Sequence, residues 1–198
     1  MLKLMFRATA AGVLFVTATV ASADASSRLE TLEALVAKGT TVPSISGQTL
    51  VKELLDDTKA VQIFDVREPD EYAVSHLARA TLVSPTISAD DFIKTLPADL
   101  TGKTFVFYCS VGRRSSTLGD RVATALQARG AKATYNLTGG IFRWRGLGLP
   151  LVNASGPTVD VHPFSSLWKT FLPPAPVVAA PAPLTTAPTS AVVTPAKP

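Results

Sequence analysis

Cysteine and histidine are almost missing from this chain: Cys109 stands alone among 198 residues, with only His76 and His162 beside it. A single thiol excludes an intramolecular disulfide. Without a second cysteine the chain cannot assemble the ligand sets of a structural zinc site, so no metal is expected. Charged residues are also sparse, at 17%. No basic stripe with interleaved aromatics occurs, which argues against nucleic acid as a partner. HExxH, CxxC, Walker and dinucleotide-type glycine patterns are all lacking, so no cofactor is expected, and no internal repeat is visible. The one long apolar stretch, residues 8–20, is shorter than the ~20 residues that span a bilayer.

That stretch has the form of an export leader. Lys3 and Arg7 precede it, and Ala21-Ser22-Ala23 offers a small-residue cleavage site, so residues 1–23 are expected to be a signal peptide and the mature protein periplasmic or secreted. An uncleaved anchor is the alternative and the only route to a membrane. Setting the leader aside removes two basic residues, leaving 17 against 15 acids and lowering the net charge from +4 to +2. At the other end, residues 173–198 hold eight prolines among alanine, threonine and valine, with Lys197 the only charge. Such a tail cannot build a core and is expected to be extended and disordered, or a spacer.

Between these ends, helical and strand periodicities alternate. Ser27 and Glu30 form a capping-box pattern ahead of Leu29, Leu32, Leu35 and Val36, predicting a first helix within an N-terminal segment, residues 24–44. Ser46 is placed to cap a second helix over 47–55 that packs Leu50, Leu54 and Leu55. Strands are expected at 61–66, 105–108 and 133–137, a short helix at 90–96 stopped by Pro97, and a helix at 115–129 ended by Gly130 with Leu118, Val122, Ala125 and Leu126 inward. Strands alternating with helices predict an α/β fold, a small parallel sheet covered by helices on both faces. In such sheets ligands sit at the carboxyl ends of strands.

Cys109 lies at one such end. It closes the apolar run Phe105-Val106-Phe107-Tyr108-Cys109 and precedes Ser110-Val111-Gly112-Arg113-Arg114, at the positive end of the helix that follows. Guanidinium neighbours and a helix N-terminus favour a thiolate, so a nucleophile is expected; a strand cysteine packed as a small hydrophobe is the alternative.

Several segments in order resemble one family. Ile63-Phe64-Asp65-Val66-Arg67-Glu68-Pro69-Asp70-Glu71-Tyr72, followed by His76-Leu77-Ala78-Arg79-Ala80, resembles the rhodanese homology domain. Phe107-Tyr108-Cys109-Ser110-Val111-Gly112-Arg113-Arg114-Ser115 is similar to its active-site loop, and Asn136-Leu137-Thr138-Gly139-Gly140 with Trp144 to its Gly-Gly-x-x-x-Trp element. The similarity covers residues 45–151, and 152–172 is left as an aromatic C-terminal extension. Ser75 and Arg79 stand where the family usually has glycine, so a stiffer or differently angled local turn is expected. In the extension, Phe164, Leu167, Trp168 and Phe171 could share one helical face, covering the domain's core or meeting a partner or membrane surface.

The resemblance implies a single-domain, rhodanese-like sulfurtransferase. Cys109 would take the outer sulfur of thiosulfate or a related small anionic donor as a persulfide and pass it to cyanide, a thiol or a protein acceptor. The amides of Ser110, Val111, Gly112, Arg113, Arg114 and Ser115 would hold the anionic sulfur, with Arg113 and Arg114 steering the donor and one of the two merely solvated. Asp65, Arg67, Glu71 and His76 are expected mainly as supports, a buried ion-pair network between loops. A persulfide carrier without turnover is the rival reading. Phosphatase or arsenate-reductase chemistry is disfavoured because a Cys-x5-Arg cradle needs arginine at position 115, where this chain has serine.

Overall fold

The computed structural model describes residues 11–57 and 60–174, with side chains from Asp24 onward. The first ten residues of the expected leader, the side chains of the rest of it, and the expected tail from residue 175 lie outside the described residues. Helix α1 (Ala11–Lys38) runs straight through the position read as its start. Ser27 is therefore not a cap; its carbonyl accepts from the Thr31 hydroxyl within the helix. The physical reason is upstream: no glycine or proline stands between Gly12 and Gly39 to interrupt the helix. Leu29 is buried and Leu32 packs behind it, whereas Leu35, expected inward, is 61% exposed. Among the described residues no helix is long and apolar enough to cross a membrane.

Then follow β1 (Ser44–Ile45), α2 (Gly47–Asp56), β2 (Val61–Asp65), α3 (Pro69–Val74), β3 (Thr81–Leu82), α4 (Ala89–Lys94), β4 (Thr104–Tyr108), α5 (Arg113–Ala128), β5 (Ala133–Leu137), α6 (Gly140–Gly146), β6 (Leu151–Asn153), β7 (Gly156–Thr158) and α7 (Ser166–Lys169). Ser46 caps α2 as expected, its hydroxyl oxygen accepting from the Thr49 amide at 3.1 Å. Leu50 is buried, but Leu55 stands 81% exposed instead of packing inward. Helix α5 starts two residues earlier than its apolar face predicts, so both arginines belong to its first turn.

Five strands form one sheet in the order β1-β5-β4-β2-β3, every neighbouring pair parallel. The expected α/β architecture is thus present, with β4 in the middle. Period-2 alternation divides the core in two. Ile63, Val106, Tyr108 and Leu137 face α1, α2 and α6 through Leu29, Leu50, Ile141, Phe142 and Trp144. Phe64, Phe105 and Phe107 face α4 and α5 through Phe92, Leu118, Val122 and Leu126. The β6–β7 hairpin is antiparallel and separate, tied to the sheet domain by paired backbone hydrogen bonds between His76 and Val152.

Candidate active site

Strand β4 ends at Tyr108, and Cys109 follows at the carboxyl end of the central strand. The chain then turns over four residues into α5. Gly112 makes the turn possible with φ +96°, and an added Cβ would lie 3.1 Å from the Asn136 amide nitrogen. Its N–H donates to Cys109 Sγ at 3.2 Å. The loop's carbonyls are taken from outside: the Ile141 and Phe142 amides donate to those of Cys109 and Ser110 at 2.9 and 3.1 Å. Asn136 Nδ2 donates to the Gly112 carbonyl at 3.0 Å. With its acceptors fastened outward, the loop turns an N–H toward the sulfur, beside the free first-turn amides that any helix N-terminus carries.

Glu71, the third residue of α3, is buried and lies under the loop. Arg114 donates to it in a fork, 2.7 and 2.8 Å, and Ser110 Oγ donates at 2.8 Å. The Glu68 amide adds a fourth bond at 3.0 Å. Burial works against the Glu71 charge, but these donors outweigh it and hold its carboxyl below the ordinary carboxylate range. Burial likewise opposes the Arg114 charge, and Glu71 together with the Cys109 sulfur overcomes it and raises the guanidinium's pKa. Arg113, by contrast, is exposed and makes no ion pair among the described residues.

Asp65 and Arg67 sit deeper, fully buried at the end of β2. Arg67 forks onto Asp65 at 2.8 and 2.6 Å and donates to the Ser75 carbonyl at 2.6 Å. Tyr108 donates its hydroxyl to Asp65 at 2.6 Å and accepts from the Leu77 amide. Burial and the Asp65 charge push the Tyr108 phenol well above its usual range, so it stays a donor. This network joins β2, β4 and the turn after α3. His76 is elsewhere: its ring stacks on Tyr72 at 3.8 Å and its Nδ1 meets the Tyr72 carbonyl at 3.0 Å. In the same turn, Arg79 adopts φ +67°, so arginine takes the left-handed conformation that glycine would take freely, and Ser75 is extended with its hydroxyl buried and unpartnered.

Above Cys109 opens a cavity of about 410 Å³. Of the expected loop residues, Cys109, Ser110, Val111, Arg113 and Arg114 line it. Gly112 and Ser115 do not; Ser115 is buried and donates to Asn136 Oδ1 at 2.6 Å, holding the loop to β5. Asp65, Arg67, Glu71 and His76 are also absent from the wall. Two residues of the extension complete it, Phe164 and Trp168. They do not share a helical face with Leu167, as the spacing suggested: Phe164 lies at φ +65° before the four-residue α7, and Leu167 is 69% exposed. Trp168 and Phe171 do pack against the core, as expected for a covering segment. The role of Asn136 is one the sequence pattern does not single out; an asparagine at a buried position inside a strand is its one local sign. No such sign marks Phe164.

Among known proteins, the family model described as the rhodanese-like domain matches residues 48–147. A probable adenylyltransferase/sulfurtransferase MoeZ of Mycobacterium tuberculosis is 30% identical over 112 residues, 56% of this chain but 26% of that protein, so the chain spans about a quarter of its length. An uncharacterized protein of Synechocystis is 30% identical over 118 residues, 60% of each chain. A rhodanese-related protein from Thermoplasma volcanium, of known crystal structure, is 26% identical, with a TM-score of 0.43 over 56% of this chain and 97% of that one. The matched residues span α2 to the end of α6, the central strand and its cysteine loop among them, and on that match the chain belongs to the rhodanese-like domain family.

Proposed function

We propose that the protein is a sulfurtransferase that carries sulfur on Cys109 as a persulfide. The observation that supports this most is the placement of one sulfur at the floor of a cavity, met by the Gly112 N–H and facing the entrance of α5. The Cys109 thiolate attacks the outer sulfur of thiosulfate or a related donor. A sulfur–sulfur bond forms, the donor's own sulfur–sulfur bond breaks, and sulfite leaves with the electron pair. The anionic persulfide then rests against the loop and first-turn amides, which need no reorganisation to meet it. Attack by cyanide or a thiol on the terminal sulfur regenerates the thiolate. Glu71, Ser110 and Arg114 hold the loop in shape, while the exposed Arg113 draws in anions.

Oxyanion chemistry on the same fold is disfavoured by the packing at position 115. A longer cradle would need arginine there, whereas Ser115 is buried against Asn136 and closes the loop early. Residues 1–23 we read as an export leader on the strength of Lys3, Arg7 and the apolar stretch that follows, which sets the reaction outside the cytoplasm.

Intact-mass measurement after thiosulfate treatment tests the function. The wild type is expected to gain about 32 Da, one sulfur atom, and lose it to cyanide or a thiol. Cys109→Ala is expected to gain nothing while unfolding at the same denaturant concentration. Sulfur uptake by Cys109→Ala, or none by the wild type from any sulfane donor, would sink the proposal. Uptake without turnover would assign the protein to the carrier reading instead.

A further inference from the structure

We infer that residues 160–172 form a built wall of the Cys109 cavity and that Phe164 and Trp168 select a monoanionic sulfane donor bearing an apolar group, an organic thiosulfonate, over inorganic thiosulfate. The inference rests on the sulfurtransferase reading and names its donor class.

Three observations carry it. The first is that the wall is anchored. Arg145 of α6 donates to the Val159 carbonyl at 2.7 Å and to the Pro173 carbonyl, so one side chain holds both ends of the segment. Trp168, Phe171 and Leu172 pack onto the core between them. Phe164 keeps its place over the Arg114 guanidinium, 4.9 Å from ring centroid to Cζ, although its φ of +65° is strained for a non-glycine residue. The whole segment lies outside the residues that match the family, 48–147, so this wall belongs to this chain's own extension.

Size is the second. A cavity of ~150 Å³ holds benzene. The space over Cys109 is about 410 Å³, and Phe164, Trp168, Pro85 and Val111 make much of its boundary apolar. Thiosulfate has no apolar surface to offer them and would leave that boundary to water. A ring-sized substituent would cover it.

Charge is the third. The two cations on the wall, Arg113 and Arg114, are offset in number by the buried Glu71 carboxylate beneath Arg114 and by the thiolate form of Cys109. The site is then neutral before the donor arrives. A thiosulfonate brings one uncompensated negative charge where thiosulfate brings two. The transfer balances: the thiolate attacks the terminal sulfur, the donor's sulfur–sulfur bond breaks, the sulfinate leaves with the electron pair, and one persulfide anion and one sulfinate anion replace one thiolate and one thiosulfonate.

The test uses the full chain and compares kcat/KM for benzenethiosulfonate with kcat/KM for thiosulfate, cyanide being the acceptor for both. The wild type is expected to favour benzenethiosulfonate by about tenfold or more, and Phe164→Ala to lower that ratio by about tenfold. Phe164→Leu, which keeps an apolar side chain, should fall in between and decides the question if the alanine variant does not fold. A wild-type ratio near one, or a ratio that neither variant changes, overturns the inference while leaving sulfur transfer intact. Failure of Cys109 to take sulfur from either donor overturns the sulfurtransferase reading itself, and the inference with it.

Discussion

Adjacent arginines on the first turn of α5 do different work because successive helical positions face about 100° apart. Arg114 turns inward, where Glu71, Ser110 and the ring of Phe164 surround it. Arg113 turns to the cavity mouth and solvent. Arg114→Ala should therefore act on the fold as much as on the reaction: it strips a buried carboxylate of its main partner. Chemical denaturation is expected to show a loss of about 2–3 kcal/mol, less than for a fully buried pair because the Arg114 side chain keeps 26% exposure. Arg113→Ala should leave the denaturation midpoint within about 0.5 kcal/mol of wild type. Its effect is expected in steady-state kinetics, as a KM for anionic donors raised about three- to tenfold at low salt, shrinking as salt screens the missing charge. Equal effects of the two substitutions in both measurements would contradict this division.

At the scale of elements, the cysteine loop is shaped by two helix N-termini. One, of α5, follows the loop; the other, of α6, reaches it from across the sheet and takes the carbonyls of Cys109 and Ser110. That approach is possible only because Gly140 has no side chain: at φ +53° an added Cβ would run into the Cys109 carbonyl oxygen and come within 2.8 Å of the Ser110 carbonyl carbon. Gly140→Ala is expected to destabilise by about 2–4 kcal/mol, combining left-handed strain with a backbone clash that cannot relax like a flexible side chain. The displaced loop should also take up sulfur more slowly, seen by intact mass over time. A variant as stable and as reactive as wild type would show that α6 does not shape the loop. The element that needs glycine by family habit but lacks it, the turn at Arg79, adopts the same left-handed conformation with a side chain present.

Across the whole molecule, carboxylates stabilised by folding make acid the natural denaturant. Glu71 ties α3 to the cysteine loop, and Asp120 accepts four bonds from Thr40, Thr41 and Val42, fastening α5 to the segment after α1. Burial opposes both charges and hydrogen bonds overcome it, so both folded carboxyls lie below their ordinary values of 4.5 and 3.8. Their contribution is complete above those values and fades as pH falls through the lower, folded ones. Urea midpoints are thus expected to drop as pH goes from about 5 to about 3, with a shallower drop in Glu71→Gln, which has no proton to gain there. An equally steep profile in that variant would remove Glu71 from the account. The parallel α/β class, helices on both faces of the sheet and a cysteine at the carboxyl end of a strand were legible in the sequence, because the apolar runs 61–66 and 105–108 and the cap at Ser46 are local patterns that burial enforces; the strand order and the short strands β1 and β3 were not. The start of α1 was not, since a capping box is silent when helix-compatible residues precede it, nor were Leu35 and Leu55, whose faces depend on how far the neighbouring layer extends. What the sequence determined by itself is the chemistry available: one thiol, its basic turn and the buried charges around it. Only the tertiary structure decided which arginine pairs with Glu71, that Ser115 closes the loop on Asn136, and that Phe164 and Trp168 stand over the sulfur. Those contacts join residues about 20 to 60 positions apart, and their geometry follows from the packing of whole layers, which no local spacing encodes.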